Sequence, residues 1–419
     1  MKFSKESITE PLTALKKLLT WMLYACVVGV VAGLAAIAFH YGVDWANSTR
    51  AAHPWIIWLL PLGGIAIVVM YKVCGMERDL GTNFVLLAVR EAKHMKLRTA
   101  PLIFLSTIVT HLLGGSAGRE GAALQLGGSI AGTLGERMDL DEKSERIMVM
   151  CGMSAAFSAL FGTPMTAALF AMEVISVGVM YYVALVPCLI SAIVAFQMAV
   201  ACGLHEKVGY TVYGVPDVDL FTVLKAVLLG GLCAMVSVLF CWTMETVRGQ
   251  YQKWFENPIL RAAVGGLLVA VLTLIVGSQD YSGAGDPLIH RMLGGERIPV
   301  AFLLKILFTA LTLGAGFRGG EIVPALCTGC AFGSLMGPFI GLNSSFAGAM
   351  GMAAVFCGTT NCPLTAVLMA AEMFGTKSLA LCAVCCSVSY MMSGYWGLYS
   401  AQKIVYSKLS PEWVDRKAK

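Results

Sequence analysis

The chain has 419 residues, of which 58% are hydrophobic and only 13% charged, with a mean hydropathy of +0.75. A soluble protein of that length needs far more charge to cover its surface, so the composition excludes an ordinary globular enzyme and implies many membrane spans. The net charge of +5 is small and scattered in clusters such as Lys16-Lys17 and Lys93/Lys96/Arg98 between apolar runs, which reads as loops biased to the cytoplasmic side and not as a nucleic-acid footprint.

In chain order, residues 1–17 carry both signs of charge and form an N-terminal cytoplasmic segment. The apolar run 18–39 exceeds the roughly 20 residues that cross a bilayer. No small-residue cleavage site follows it cleanly, so it reads as an uncleaved first helix. Further spanning segments are expected at 55–73, 102–113, 147–160, 165–179 and 181–201. These make a first membrane repeat, 18–204, which a polar linker at 205–220 joins to a second repeat, 221–408. The second repeat carries segments at 221–244, 259–276, 300–314, 325–340, 346–357, 364–374 and 379–392, and a short tail follows at 409–419. Many of these runs are shorter than a full span, and 45 glycines interrupt them. Short, broken apolar segments in a transporter imply helices that stop in mid-membrane with their ends aimed at a shared site. The fold class is therefore all-α and polytopic.

Fourteen cysteines fall mostly inside apolar stretches, where a free thiol packs as a small apolar residue. Cys327 and Cys330 form a C-x-x-C without a second pair at zinc spacing, so neither a metal nor a cofactor is expected.

An internal repeat carries most of the information. Gly152-Met153-Ser154-Ala155-Ala156-Phe157 matches Gly351-Met352-Ala353-Ala354-Val355-Phe356, and the run from Pro164 to Glu173 matches the run from Pro363 to Glu372, both at a separation of 199 residues. Gly118-Arg119-Glu120 and Gly319-Gly320-Glu321 stand 201 apart. Shared Pro, Thr and Glu at fixed spacing argue against chance similarity of Ala/Gly-rich helices. Two such halves should run in opposite directions, with a binding site where they meet.

Four glutamates lie in or beside apolar segments, where an acid costs of order 2.5 kcal/mol or more and is a functional candidate by default. Glu173 and Glu372 are repeat mates near helix ends, which favours a structural carboxylate accepting backbone N–H bonds or pairing with an arginine. Glu120 and Glu321 follow glycine-rich breaks, Gly114 to Gly118 and Gly314 to Gly320, each ahead of a helix. Backbone N–H groups at such a helix start make an anion site. A carboxylate there can occupy the anion's seat when ionised and leave it when protonated, which couples anion movement to protons. The residues alone do not say which of the two does this.

Here the sequence resembles a family. Gly118-Arg119-Glu120-Gly121 looks like the gating-glutamate motif of the CLC channels and antiporters. Gly319-Gly320-Glu321-Ile322-Val323-Pro324 is similar to the CLC G-x-F-x-P motif, and Gly397-Leu398-Tyr399-Ser400 resembles the segment bearing the anion-contacting tyrosine. The resemblance extends from about residue 18 to residue 408. It implies a homodimer of two inverted-topology repeats, with one pore per subunit and many short, tilted and broken helices. Most CLC proteins carry G-S-G-I-P where this chain reads Gly81-Thr82-Asn83-Phe84-Val85, and G-R-E-G-P where Ala122 stands here for the proline. Chloride antiporters often have an internal acid where this chain has Val174, and an apolar residue where it has Glu321.

These departures resemble the fluoride/proton antiporter branch, although many of its members have methionine at the place of Thr82 and some have threonine at that of Val323. The resemblance implies a bacterial inner-membrane protein that exports fluoride against protons. Its gate would be Glu120, its second proton-linked residue Glu321, and its anion contacts Thr82, Asn83, Ile322, Val323 and Tyr399. A chloride/proton antiporter and a passive chloride channel share the scaffold and stay open as readings. Asn83 reads equally as a helix cap; the bland alternatives for Tyr399 and Glu321 are an interfacial aromatic and an ionised cap paired with Arg119 or Arg318. From another class, Gly114-Gly115-Ser116-Ala117-Gly118 matches the serine-hydrolase G-x-S-x-G with His111 nearby, which would make a membrane-embedded protease.

Overall fold

A computed structural model describes residues 5–77, 79–91, 93–204 and 209–419, with side chains from Leu12 onward. The first four residues of the expected N-terminal segment and residues 205–208 of the expected linker lie outside the described residues.

Among the described residues each half of the chain folds into eight helices. The first half comprises α1 (Lys5–Ala52), α2 (Leu60–Val73), α3 (Thr82–Glu91), α4 (Thr99–Leu112), α5 (Glu120–Arg137), α6 (Glu142–Phe161), α7 (Pro164–Glu173) and α8 (Leu185–Ala201). The second comprises α9 (Leu220–Trp254), α10 (Pro258–Val276), α11 (Asp286–Leu293), α12 (Ala301–Gly314), α13 (Ile322–Met336), α14 (Ser344–Thr360), α15 (Pro363–Phe374) and α16 (Leu379–Met392). Six helical stretches, starting at Leu12, Pro54, Tyr182, Leu220, Pro258 and Ile322, are long and apolar enough to cross a membrane. Their outer faces keep large apolar side chains exposed, Phe221 at 73% and Ile275 at 74% among them, as a lipid-facing surface requires. The protein is a polytopic membrane protein.

Several expected boundaries shift. The charged residues from Lys5 to Lys17 belong to α1 itself, so the first helix is 48 residues long. The expected span 165–179 is shorter, because α7 stops at Glu173 and the chain turns into strand β1 (Ser176–Val177). That strand pairs with β2 (Lys403–Tyr406), and β2 pairs antiparallel with β3 (Trp413–Lys417). The tail expected at 409–419 thus includes a strand of a small sheet, and Lys419 accepts at its carbonyl from the Gly397 N–H (3.0 Å).

The halves repeat their packing. α1 packs on α4, α6 and α8, as α9 does on α12, α14 and α16. Gly127 of α5 lies against the Gly152 carbonyl of α6, and Gly329 of α13 against the Gly351 carbonyl of α14, so neither crossing has room for a Cβ. α6 ends on Gly162 at φ 72 and α14 ends on its repeat mate Asn361 at φ 61. Asn361 tolerates the left-handed region and adds a side chain that ties down the end of the second repeat. Its Nδ2 donates to the Trp396 carbonyl (3.1 Å) and to Gln402 Oε1 (2.9 Å).

The remaining acids expected to be structural join the halves. The Glu173 carboxylate accepts from Leu364 N (3.1 Å), Thr365 N (2.8 Å) and Thr365 Oγ1 (2.6 Å) at the start of α15. Glu372 does the same for α7, accepting from Met165 N (3.0 Å), Thr166 N (2.8 Å) and Thr166 Oγ1 (2.5 Å). Each helix starts with a proline, which removes one orphan N–H, and borrows the other half's carboxylate for the next two.

Candidate functional site

The two glycine-rich breaks build the site. After α4 the chain turns at Gly114 (φ 89), and after α12 at Gly316 (φ 109), values that favour glycine. Both segments then run toward one another. Gly118 N donates to Gly320 O and Gly320 N to Gly118 O, both at 2.7 Å, in an isolated antiparallel bridge. A Cβ on Gly320 would stand 2.6 Å from Gly121 N, so only glycine lets the segments close. α5 and α13 start immediately after this bridge, which brings two helix N-termini with their unpaired N–H groups to one junction.

A cavity lies on either side of that junction. The smaller, about 360 Å³, is lined by Glu120, Arg119, His40, Asp44, His111 and Val323, among others. The larger, about 730 Å³, is lined by Glu321, Thr82, Asn83, Gln125, Arg318 and Tyr399, among others. They open toward opposite membrane faces. α1 and α2 are joined by a short turn, and the last turns of α1 line the smaller cavity while those of α2 line the larger. In the second half the end of α9 (Arg248, Gln252) and the start of α10 line the larger cavity. The repeat mates α1 and α9 therefore point in opposite directions, and so do α2 and α10: the repeats are inverted.

The partition separates residues that the sequence reading placed around one anion. Glu120 and Val323 face the smaller cavity, whereas Thr82, Asn83, Tyr399 and Glu321 face the larger. Ile322 is fully buried at the start of α13 and lines neither. Sequence spacing cannot foresee this division, because it depends on which side of the Gly118–Gly320 bridge each side chain falls.

The two acids differ in their surroundings. Glu120 is 3% exposed; its Oε2 accepts from Arg119 N (2.9 Å), and Oε1 lies 3.8 Å from Arg119 Nε. Arg119 also reaches His40 Nδ1 (2.8 Å) and Asp44 Oδ1 (3.5 Å). Glu321 makes no side-chain cap to α13, and its buried Oε2 has no partner. Arg318 pairs with Asp79 (3.2 Å) and lies over the Tyr71 ring (4.1 Å). Arg119 and Arg318 are thus engaged elsewhere, and neither pairs with Glu321.

Around Glu321 the hydrogen-bonding groups are partly unclaimed. Tyr399 is 1% exposed and its Oη has no partner. Asn83 does not cap α3; its Oδ1 accepts from Ala401 N (2.8 Å), which holds α3 to the tyrosine segment at the lining of the larger cavity. The Thr82 hydroxyl lies 3.3 Å from the Gly121 carbonyl. Gln402 fixes the far side of the segment, donating from Nε2 to the Thr360 (2.8 Å) and Val174 (3.0 Å) carbonyls. Sequence reasoning missed Gln125, Gln402 and Asn361; the only signal was an amide within or beside an otherwise apolar run.

The hydrolase reading does not survive the geometry. Ser116 Oγ meets Thr309 Oγ1 (3.0 Å) and Lys305 Nζ (3.1 Å), while His111 Nδ1 faces Asn47 (3.4 Å). Lys305 also donates to the Tyr281 (3.1 Å) and Gly283 (2.7 Å) carbonyls. An ammonium holding three acceptors has no lone pair to take a serine proton.

Comparison with known proteins agrees with this architecture. The family model described as voltage gated chloride channel matches residues 70–394. A chloride/fluoride channel protein of Pseudomonas syringae pv. tomato is 36% identical over 414 residues, covering 97% of this chain and 91% of the relative. An H(+)/Cl(-) exchange transporter of Yersinia pestis is 25% identical over 415 residues, covering 91% of this chain and 86% of its own length. The crystal structure of a CLC-type fluoride/proton antiporter superposes with a TM-score of 0.88 at 32% identity, covering 96% of this chain and 99% of that one.

Proposed function

We propose that this chain, which belongs to the CLC family of voltage-gated chloride channel relatives, exchanges fluoride for protons and exports fluoride from the cell. The observation that carries the reading is the buried Tyr399 phenol, a donor without a partner in the larger cavity. The Asn83 amide and the Thr82 hydroxyl line the same space, as does Glu321, whose Oε2 has no partner. Fluoride is compact, strongly hydrated and a powerful acceptor, so leaving water is prohibitive without donors to replace its shell. The 36% identical relative named for chloride and fluoride, and the fluoride/proton antiporter at 32% identity, support the same ion.

Glu120 is the gate in this reading. Ionised, it holds the N–H of Arg119 at the junction of the helix starts; protonated, it releases that seat and carries its proton toward the smaller cavity. Glu321 is the second proton-linked residue, standing in for the internal acid that Val174 replaces. At an effective dielectric near 20, two unit charges about 4 Å apart repel by roughly 4 kcal/mol, and a proton on Glu321 removes that repulsion as the anion arrives. The protein works as a homodimer in a bacterial inner membrane. The test is reconstitution into liposomes, with fluoride, chloride and proton fluxes measured together. Fluoride is expected to leave faster than chloride and to drive protons the other way. Equal halide rates with proton movement would favour a chloride/proton antiporter, and anion flux without protons a channel.

A further inference from the structure

Asp79 and Arg318 form an ion pair in the wall of the larger cavity that the roles assigned so far leave unused. Arg318 Nη1 lies 3.2 Å from Asp79 Oδ2, and the Asp79 side chain is only 2% exposed. The guanidinium also lies over the Tyr71 ring, so its charge is fixed in place. In sequence Asp79 stands three residues before Thr82, and Arg318 three before Glu321. A Cβ on Gly81 would lie 3.7 Å from Arg318 Nη1 and 3.8 Å from Gln125 Nε2. That amide nitrogen is in turn 3.2 Å from both Thr82 Oγ1 and the Gly121 carbonyl. The ion pair is therefore one side chain away from the Thr82 hydroxyl.

The charges lining the cavity decide what the pair does there. Lys72, Arg248, Arg261 and Lys417 line the same space, and none of the four forms an ion pair with a described residue. Four cations draw an anion in, yet a transported anion must also leave, so the site cannot bind it too tightly. Asp79 cancels a fifth cation, the one held beside the Thr82 segment. Without Asp79, a fixed guanidinium next to the site has its charge balanced only by the anion or by ionised Glu321. Without Arg318, a buried carboxylate at the same place repels the anion.

The geometry points to Asp79 as an affinity-setting residue, which neutralises Arg318 and so keeps the larger cavity from holding its anion too tightly to release. This inference rests on the reading of the larger cavity as the anion site.

Neutral isosteres separate charge from packing. Asp79→Asn still offers an oxygen to Arg318, and Arg318→Gln still offers an N–H to Asp79, so each keeps a hydrogen bond and removes one charge. Halide efflux from liposomes is measured against halide concentration for each variant. Asp79→Asn is expected to lower KM about three- to tenfold, the order of effect of one unit charge at an effective dielectric of 20 or more, and to lower kcat with it. Arg318→Gln should raise KM by a similar factor. The double variant, neutral again, should return KM to within about twofold of wild type. Shifts of KM in the same direction in both single variants would mean that the pair only ties two segments together, and would overturn the proposal. So would an unchanged KM in either. Should one single variant not fold, the other is compared with the double, from which it differs by one charge, and equal KM values overturn the proposal. A wild-type protein that prefers chloride refutes the fluoride reading but not this one, and the same opposed shifts are then required of the chloride KM.

Discussion

The glycine break ahead of α5 and the one ahead of α13 are copies, and they do different work. Both turn at a glycine with positive φ, both enter the Gly118–Gly320 bridge, and both place a glutamate at a helix start. The first copy sets Glu120 against Arg119, which in turn reaches His40 and Asp44, so that an ionised carboxylate has a cation beside it. The second leaves Glu321 among a phenol, an amide and a hydroxyl, groups that serve an anion or a neutral acid. Pseudo-symmetry has preserved the backbone and let the side chains diverge. One acid faces the end of α1, the other the end of α9, so divergence also assigns each acid to a different side of the membrane.

The largest expected effect tests the first half of that contrast. Glu120→Gln mimics the protonated gate and should abolish proton coupling; proton pumping as strong as wild type in vesicles would remove Glu120 from the mechanism. Glu321→Gln should have the next largest effect, slowed exchange or weakened coupling in a protein that stays folded. If its fluoride and proton fluxes are normal, the two copies differ in packing only and Glu321 is structural. The smallest effect concerns the reciprocal caps. Glu173 is 8% exposed while Glu372 is half-buried. Glu173→Ala should destabilise by about 2–4 kcal/mol, since it orphans charge-assisted bonds in a buried place, and Glu372→Ala by about 1–2 kcal/mol. Thermal unfolding of the two variants in detergent measures the difference, and equal shifts would mean that the halves are more alike here than their burial implies.

Much of this was legible in the sequence because it is local or periodic. The 199-residue offset, the prolines at Pro164 and Pro363 and the glycine runs before Glu120 and Glu321 imply the repeat and its broken helices directly. The capping role of Glu173 and Glu372 followed from their position near helix ends; that each serves the other repeat's helix did not, since nothing local records which N-terminus lies nearby. Asn83 could be named but not its partner, because Ala401 is 318 residues away. Gln125 escaped notice since an amide in a Gly/Ala-rich helix resembles packing until its two bonds to Thr82 and Gly121 are seen. The strand at Trp413–Lys417 was missed for a similar reason: a polar tail shows little periodicity, and its partner β2 is itself anchored by pairing with β1 in the other half of the chain.

The Gly118–Gly320 bridge has an electrical meaning as well. With a polar cavity entering from either face, water and its mobile ions carry each side's potential inward to the bridge. The membrane voltage then falls across a slab far thinner than the roughly 30 Å of a bilayer core, and the local field rises in inverse proportion. An anion or proton moved past the paired glycines over a few ångströms crosses nearly the whole voltage, about 2.3 kcal/mol per charge for each 100 mV. The driving force of the cell is applied where the two repeats touch, and side chains in the outer parts of either cavity are largely shielded from it.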